Sequence, residues 1–269
     1  MRRLEISKSS KENREEYMDY EALLEHVKRR RTIRRFKSDP IPDEYVEKII
    51  EVARWAPSGF NSQPWDFVVV KKEDLRKKIV DIFINSPVGI DKEREKRPTE
   101  LNSSSPLQKL FWKKLSHQGI LNAPVFIILY GDTRARVALP PGLDQGPEER
   151  YMHILKASLA NAFIYMHLAA SSLGLAAQWK SAVAFEPAHS AIKKLLGIPQ
   201  ELIAFDMILL GYPGAVPRPK LLRPIEKMVH FNDCGIEDFR TTEEVHDFAK
   251  RTKAWTRGQH LREEGHRHH

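Results

Sequence analysis

Leu23, Leu24 and Val27 recur at helical spacing behind an acidic start, which predicts an amphipathic helix over residues 19–30. Val46, Ile49, Ile50 and Ala53 form a second stripe over 42–55, ended by Pro57, whose ring disfavours a helical residue before it. From Trp65 to Val70 the apolar residues run together, the mark of a short buried strand. Residues 73–84 return to the helical period. Between 85 and 119 the pattern dissolves: Pro87, Gly89, Pro98 and Pro106 interrupt it, and Asn102, Ser103, Ser104 and Ser105 are loop-forming. A stretch of that length without a pattern predicts a lid, a binding loop or an insert.

Residues 123–130 (APVFIILY) read as the clearest strand of the chain. A Pro/Gly loop over 139–148 leads to a long helix over 149–172, rich in Ala and ended by Gly174. A short strand over 175–179, a short helix over 187–196 stopped by Gly197, and a core strand over 204–211 follow. The segment 212–224 is Pro-rich, and a polar tail from Asn232 holds one weakly helical piece at 241–251. Strands are not regularly joined by single helices, so the expected class is α+β. The expected plan is an arm over 1–18, one domain over 19–231 containing the 85–119 insert, and an extension over 232–269.

Composition narrows the class. Hydrophobic residues at 41% and charged residues at 30% fit a soluble globular protein. One cysteine, Cys234, rules out an intrachain disulfide and fits a reducing compartment. The N-terminal residues lack the apolar stretch of a signal peptide, and no apolar run approaches the ~20 residues that span a bilayer. The expected location is the cytoplasm. The net charge of +8 suits an anionic partner. Cations are dense at 28–37, 71–78 and 92–97, but only the first run (KRRRTIRRFK) is nearly free of acids.

Motifs for several chemistries are missing from the sequence. It contains no GxGxxG, no GxxxxGK[ST], no CxxC, no HExxH and no GxSxG, so neither a metal site nor a hydrolase nucleophile is expected. The histidines of the terminal GHRHH read as a frayed tail. Two elements carry chemistry instead. Arg30, Arg31 and Arg34, with Thr32 among them, place three guanidiniums and a hydroxyl within five residues, a set able to surround a phosphate dianion. A solvated basic face and a nucleic-acid footprint are the other readings of this run; the second lacks interleaved aromatic residues. Further on comes APSGFNSQPW, residues 56–65, where Pro57, Gly59 and Pro64 fix an unusual path and Asn61 and Gln63 each offer donors and acceptors. A flavin's pyrimidine edge makes that demand; so does a loop capping its own backbone.

The basic run, one helix, then APSGFNSQPWDF together resemble the nitroreductase family of FMN enzymes. Ser171-Ser172-Leu173-Gly174-Leu175 with Trp179, and Gly211-Tyr212-Pro213 with Pro219, Arg223-Pro224-Ile225-Glu226 and Val229, extend the resemblance over about 20–232. It implies a central mixed or antiparallel sheet surrounded by helices, in an intertwined homodimer with FMN at the interface and both subunits lining the site. It implies hydride transfer from NAD(P)H through flavin N5 to a small acceptor in a ping-pong cycle, with no obligatory side-chain acid or base. By position, Arg30, Arg31 and Thr32 are expected at the FMN phosphate and ribityl chain, and Arg34 near the N1–C2 edge. Pro57, Ser58, Gly59, Asn61 and Gln63 are expected along the ring and ribityl. Gln178, Trp179 and Lys180 are expected to bring a backbone N–H near N5. Relatives often carry a late arginine where this chain has Leu222, so Lys220 or Arg223 is expected to close the phosphate site. Phe60, Phe111 and Trp112 are the expected acceptor-side residues. The family also holds a flavin-destroying enzyme and the iodotyrosine deiodinases. Their loop and lid patterns are not matched here, and a nitro- or quinone-type reductase is the expectation.

Overall fold

The computed structural model describes residues 19–86, 120–217, 219–232 and 234–257. The chain forms two compact units, the first ending at Pro217 and the second starting at Arg218.

The first unit contains helices α1 (Tyr20–Arg29), α2 (Asp43–Arg54) and α3 (Glu73–Asn85), the long α4 (Glu148–Ser172) and the short α5 (Ala188–Leu196). Its strands are β1 (Trp65–Val70), β2 (Val125–Asp132), β3 (Ala176–Lys180) and β4 (Leu202–Gly211). They form a sheet in the order β1-β2-β4-β3 with every neighbouring pair antiparallel. The period-2 alternation of β2 divides the core. Val125, Ile127 and Leu129 pack with Ile49 and Ala53 of α2 and Leu155, Leu159 and Phe163 of α4. Phe126, Ile128 and Tyr130 point the other way, toward Ile79, Val80 and Phe83 of α3 and Ile192 of α5. Each fully buried side chain of this size contributes roughly 1.5–3 kcal/mol, so two such layers hold the sheet between helices.

Two features depart from the apolar pattern. β1 reads as a buried strand, yet only Val70 of its six residues is buried, because β1 is an edge of the sheet and pairs with β2 alone. Helix α1 buries no residue at all. Leu23 and Val27 stay exposed, although Asp19 caps the helix through Ala22 N–H and His26 Nε2 lies 3.0 Å from the Leu168 carbonyl on α4. Glycines end α4 and α5 as expected, Gly174 and Gly197 both having positive φ.

The second unit carries short 3-10 turns at Ile225–Lys227 and Ile236–Asp238, then helix α6 (Thr242–Arg257). This helix is longer than the piece expected at 241–251. Thr241 and Glu244 start it with reciprocal bonds: Glu244 N–H donates to Thr241 Oγ1 at 3.3 Å, and Thr241 N–H donates to Glu244 Oε2 at 2.9 Å. No helix among the described residues is long and apolar enough to cross a membrane.

Candidate functional site

The loop after α2 is built from residues that few sequences place together. Phe60, Asn61 and Gln63 all lie in the left-handed region, with φ of 55°, 52° and 43°. Asparagine tolerates that region; phenylalanine does so at a cost, and Phe60 stays half-exposed. The strain is held by internal bonds: Asn61 N–H to the Ser58 carbonyl at 3.1 Å, Ser62 N–H to the Gly59 carbonyl at 3.1 Å, and Gln63 N–H to Ser58 Oγ at 3.0 Å. Gln63 Nε2 donates to Asn61 Oδ1 at 3.1 Å, which leaves the Asn61 amide nitrogen and the Gln63 amide oxygen for another partner.

Helix α4 pins this loop from below. Ser158 Oγ accepts the Gly59 N–H at 3.0 Å, and Asn161 Nδ2 donates to the Pro57 carbonyl at 3.0 Å. The approach is so close that a Cβ on Gly59 would meet Ile154 Cγ2 at 2.3 Å. Ser158 and Asn161 carry a weak signal in the sequence: two polar side chains three residues apart lie on one face of an otherwise Ala-rich helix.

The basic run takes its course from the sheet edge. Thr32 pairs with Ala177 in an isolated parallel bridge, and Ile33 N–H donates to the Ala177 carbonyl at 3.2 Å. Phe36 pairs with Pro213, Lys37 N–H donates to the Tyr212 carbonyl at 2.9 Å, and Gly214 N–H donates to the Arg35 carbonyl at 2.9 Å. The segment 30–37 is thereby laid along β3 and across the end of β4. It sets Thr32 and Ile33 beside Ala177, a union that no local pattern announces.

Within the run the arginines differ. Arg30 is half-buried, and desolvation and then the like charge of Arg31 hold its pKa below the ordinary guanidinium value. Arg31 turns back on α1, donating to the carbonyls of Lys28 and Arg30 and so capping the helix end. Arg34 and Arg35 are exposed.

On β3 the side chains alternate. Gln178 is buried, and its Oε1 has no hydrogen-bond partner. Trp179 faces α4, its ring 4.9 Å from Phe163 and 6.1 Å from His167. Lys180 points to the α3 side, its ammonium 5.4 Å from the centre of the Phe83 ring. His167 is buried, with both ring nitrogens unpartnered. Burial, with the Arg30 charge nearby, pushes its imidazole down to about 4, so the ring is neutral at pH 7. Asp206 of β4 is buried too. Desolvation pushes its carboxyl up, with Ser181 and Trp179 pulling the other way. Neither His167 nor Asp206 stands out in the sequence, since each matters only through its burial.

The loop and the run meet α4 at different points. Ser158 and His167 are nine residues apart, roughly 14 Å along a helix. Lys220 and Arg223 belong to the second unit, where Arg223 Nη2 donates to the Lys227 carbonyl at 2.6 Å. Phe111, Trp112 and nearly all of the 85–119 insert lie outside the described residues. Among the described residues no group of three or more His, Cys, Asp or Glu is placed to hold a metal ion.

Four likenesses bear on what this arrangement does. The Nitroreductase family model matches residues 27–212. A putative NADH dehydrogenase/NAD(P)H nitroreductase of Methanothermobacter thermautotrophicus is 29% identical over 195 residues, 72% of this chain and 79% of that protein. A BluB-like flavoprotein from Clostridium difficile is 26% identical with a TM-score of 0.59, covering 81% of this chain and 100% of its own. An oxidized iodotyrosine deiodinase bound to FMN and 3-iodo-L-tyrosine is 27% identical with a TM-score of 0.53, covering 79% of this chain and 100% of its own.

Proposed function

The chain belongs to the nitroreductase family, and from that premise we propose that it is an FMN-dependent oxidoreductase working in the cytoplasm, which uses NAD(P)H to reduce a small nitroaromatic or quinone-type acceptor in a ping-pong cycle. The observation that carries this reading is the fixing of the basic run along β3 by the Thr32–Ala177 pair and the Ile33 N–H bond. It sets Thr32 beside Ala177, the residue before Gln178, with the Arg30 charge felt at His167.

The residues present fit the flavin nucleotide. Arg30 is half-buried beside another cation, a position that a phosphate dianion would stabilise and that plain solvent would not favour. The buried Gln178 Oε1 lacks a donor. The exposed Asn61 and Gln63 present an amide donor and acceptor from a backbone that is already fixed.

FMN, when bound, would supply the hydride chemistry between NAD(P)H and the acceptor. The chain supplies position and charge. Arg30, Arg31 and Thr32 hold the phosphate and ribityl end. Arg34 gives a fixed positive charge for the anion that builds on reduction. Pro57, Ser58, Gly59, Asn61 and Gln63 line the ring and ribityl chain, and the backbone of Gln178, Trp179 and Lys180 borders the reactive edge. Phe60 borders the acceptor. No side chain is assigned as acid or base, because solvent can protonate the product.

A homodimer completes the proposal. The two walls meet α4 about 14 Å apart along one protomer, so a second copy brings its loop to the first copy's run. The apolar stripe of α1, none of it fully buried among the described residues, and the exposed Ile164 of α4 support such a contact.

The test is direct. Purified protein is expected to be yellow or to bind added FMN, and to elute as a dimer. A colourless protein that does not bind FMN would overturn the reading. With FMN bound, turnover is expected with nitroaromatics and quinones, and a preference for 3-iodo-L-tyrosine over all of these would move the protein to a deiodinase-like branch.

A further inference from the structure

The second unit holds a cavity of about 410 Å³, inside the roughly 300–1,000 Å³ range of small-molecule pockets. It forms where the two 3-10 turns meet the start of α6. Arg223 and Lys227 come from the first turn and its approach, Asp238 from the second, and Phe239 and Arg240 from the link that leads to α6. Of the residues that line it, only Arg223 is among those expected at a flavin phosphate.

The charges round this cavity do not cancel. Three basic side chains, Arg223, Lys227 and Arg240, share it with one carboxylate. That carboxylate is already engaged, since Asp238 Oδ2 accepts the Gly235 N–H at 2.8 Å and closes its own turn. Among the described residues no ion pair joins any acid to the three cations. Arg223 is tethered: its Nη2 donates to the Lys227 carbonyl at 2.6 Å, which holds the guanidinium against the turn that carries Lys227. A guanidinium has five donors, and this bond uses one. Like charges gathered on one concave surface repel each other and favour an anion between them.

The remaining wall is apolar and aromatic. The rings of His230 and Phe239 lie 4.9 Å apart at 37°, and Met228 and Val245 stand exposed beside them. Cations alone would suit a bare inorganic anion. An aromatic wall next to them suits an anion carried on a ring, because the ring stacks while the guanidinium pairs with the oxygens.

We propose that this cavity binds a small flat aromatic anion, a ring bearing one phosphate or carboxylate group, with Arg240, Lys227 and Arg223 on the anionic group and Phe239 and His230 against the ring. A simple aryl acid and a mononucleotide share that chemistry. The proposal stands independently of the flavin reading.

The test is isothermal titration of the full-length, FMN-loaded protein with 1-naphthyl phosphate, inorganic phosphate and 1-naphthol. The first is expected to bind at least about tenfold more tightly than either of the others, which each carry half of the chemistry. Arg240→Ala is expected to weaken 1-naphthyl phosphate about tenfold. Phe239→Ala is expected to weaken it about fivefold and to leave inorganic phosphate unchanged. Val245→Glu puts an acid on the cavity wall and is expected to abolish binding. It adds to a helix start that already carries Glu243 and Glu244, where the helix dipole favours acids, so its effect on binding is not an effect on folding. The proposal is overturned if inorganic phosphate binds as tightly as 1-naphthyl phosphate, or if Arg240→Ala and Val245→Glu both bind the probe as wild type does. Adenosine monophosphate separates the two sources of ligand: tighter binding than the naphthyl probe assigns a nucleotide, and weaker binding assigns an aryl acid. Wild-type protein that binds no FMN sinks the functional reading instead. The same titrations on the flavin-free chain then decide this proposal, because Arg240, Phe239 and Val245 lie outside the residues given to the flavin.

Discussion

The loop from Ala56 to Trp65 and the segment from Arg30 to Phe36 reach their shapes by different routes. The loop is closed by bonds between its own residues, Ser58 to Asn61 and Gln63, Gly59 to Ser62, and is fastened to α4 at two places. The basic segment borrows its path from the edge of the sheet, through Ala177, Tyr212 and Gly214. A locally closed loop tolerates changes elsewhere and is sensitive to changes within. A borrowed path is the reverse: Thr32, Arg34 and Arg35 stay exposed, and its shape depends on what lies behind it.

The largest expected effect comes from behind the basic run. His167 has a folded-state value of about 4 against an ordinary value near 6.5, so the native state binds fewer protons than the unfolded chain between these limits. Stability on this account is fully present above about pH 6.5 and falls by roughly 3 kcal/mol as the pH drops through 4. Asp206 works in the opposite sense, because burial raises its carboxyl and protonation favours the fold. Urea melts from pH 7 to pH 4 are expected to show a steep loss for wild type and a shallower one for His167→Leu. Equal slopes would remove the buried imidazole from the account.

The loop is next. Gly59→Ala places a methyl 2.3 Å from Ile154 Cγ2 and is expected to destabilise by about 2 kcal/mol in denaturant melts. Ile154→Ala in the same chain should recover part of that loss, and no recovery would mean that another clash dominates. Arg30→Ala separates binding from folding: FMN affinity is expected to fall by about 1.5–2 kcal/mol, more than tenfold, with little change in the melting temperature. A large drop in melting temperature with unchanged affinity would reverse the roles given to the two regions. The smallest effect is Ser158→Ala, which orphans the Gly59 N–H and is expected to cost about 1 kcal/mol.

What the sequence conveys follows the same division. Helices and strands appear close to where the apolar periods place them, because that information is local. The loop is legible because proline, glycine, asparagine and glutamine declare their backbone and bonding habits. The exposure of β1 is not legible, since being an edge strand is a property of sheet order. Nor is the meeting of Thr32 with Ala177, which joins residues 145 positions apart. His167 and Asp206 read as ordinary polar residues until packing buries them. The bonds of Thr241 and Glu244 that start α6 were readable, being the Thr-x-x-Glu pattern of a helix start, as were Ser158 and Asn161 on α4. Arg31, grouped by the sequence with the phosphate ligands, is shown capping α1. The side chain of Lys180, grouped with the flavin edge, lies over Phe83.

The account stands on one claim, that the basic run and the loop serve a flavin that NAD(P)H reduces. Anaerobic titration of the FMN-loaded protein with NADH and NADPH tests it most directly. The account predicts that the oxidised flavin band bleaches with one equivalent of reductant and returns when a quinone or nitroaromatic is added. A flavin that stays oxidised in excess of both nucleotides would contradict it.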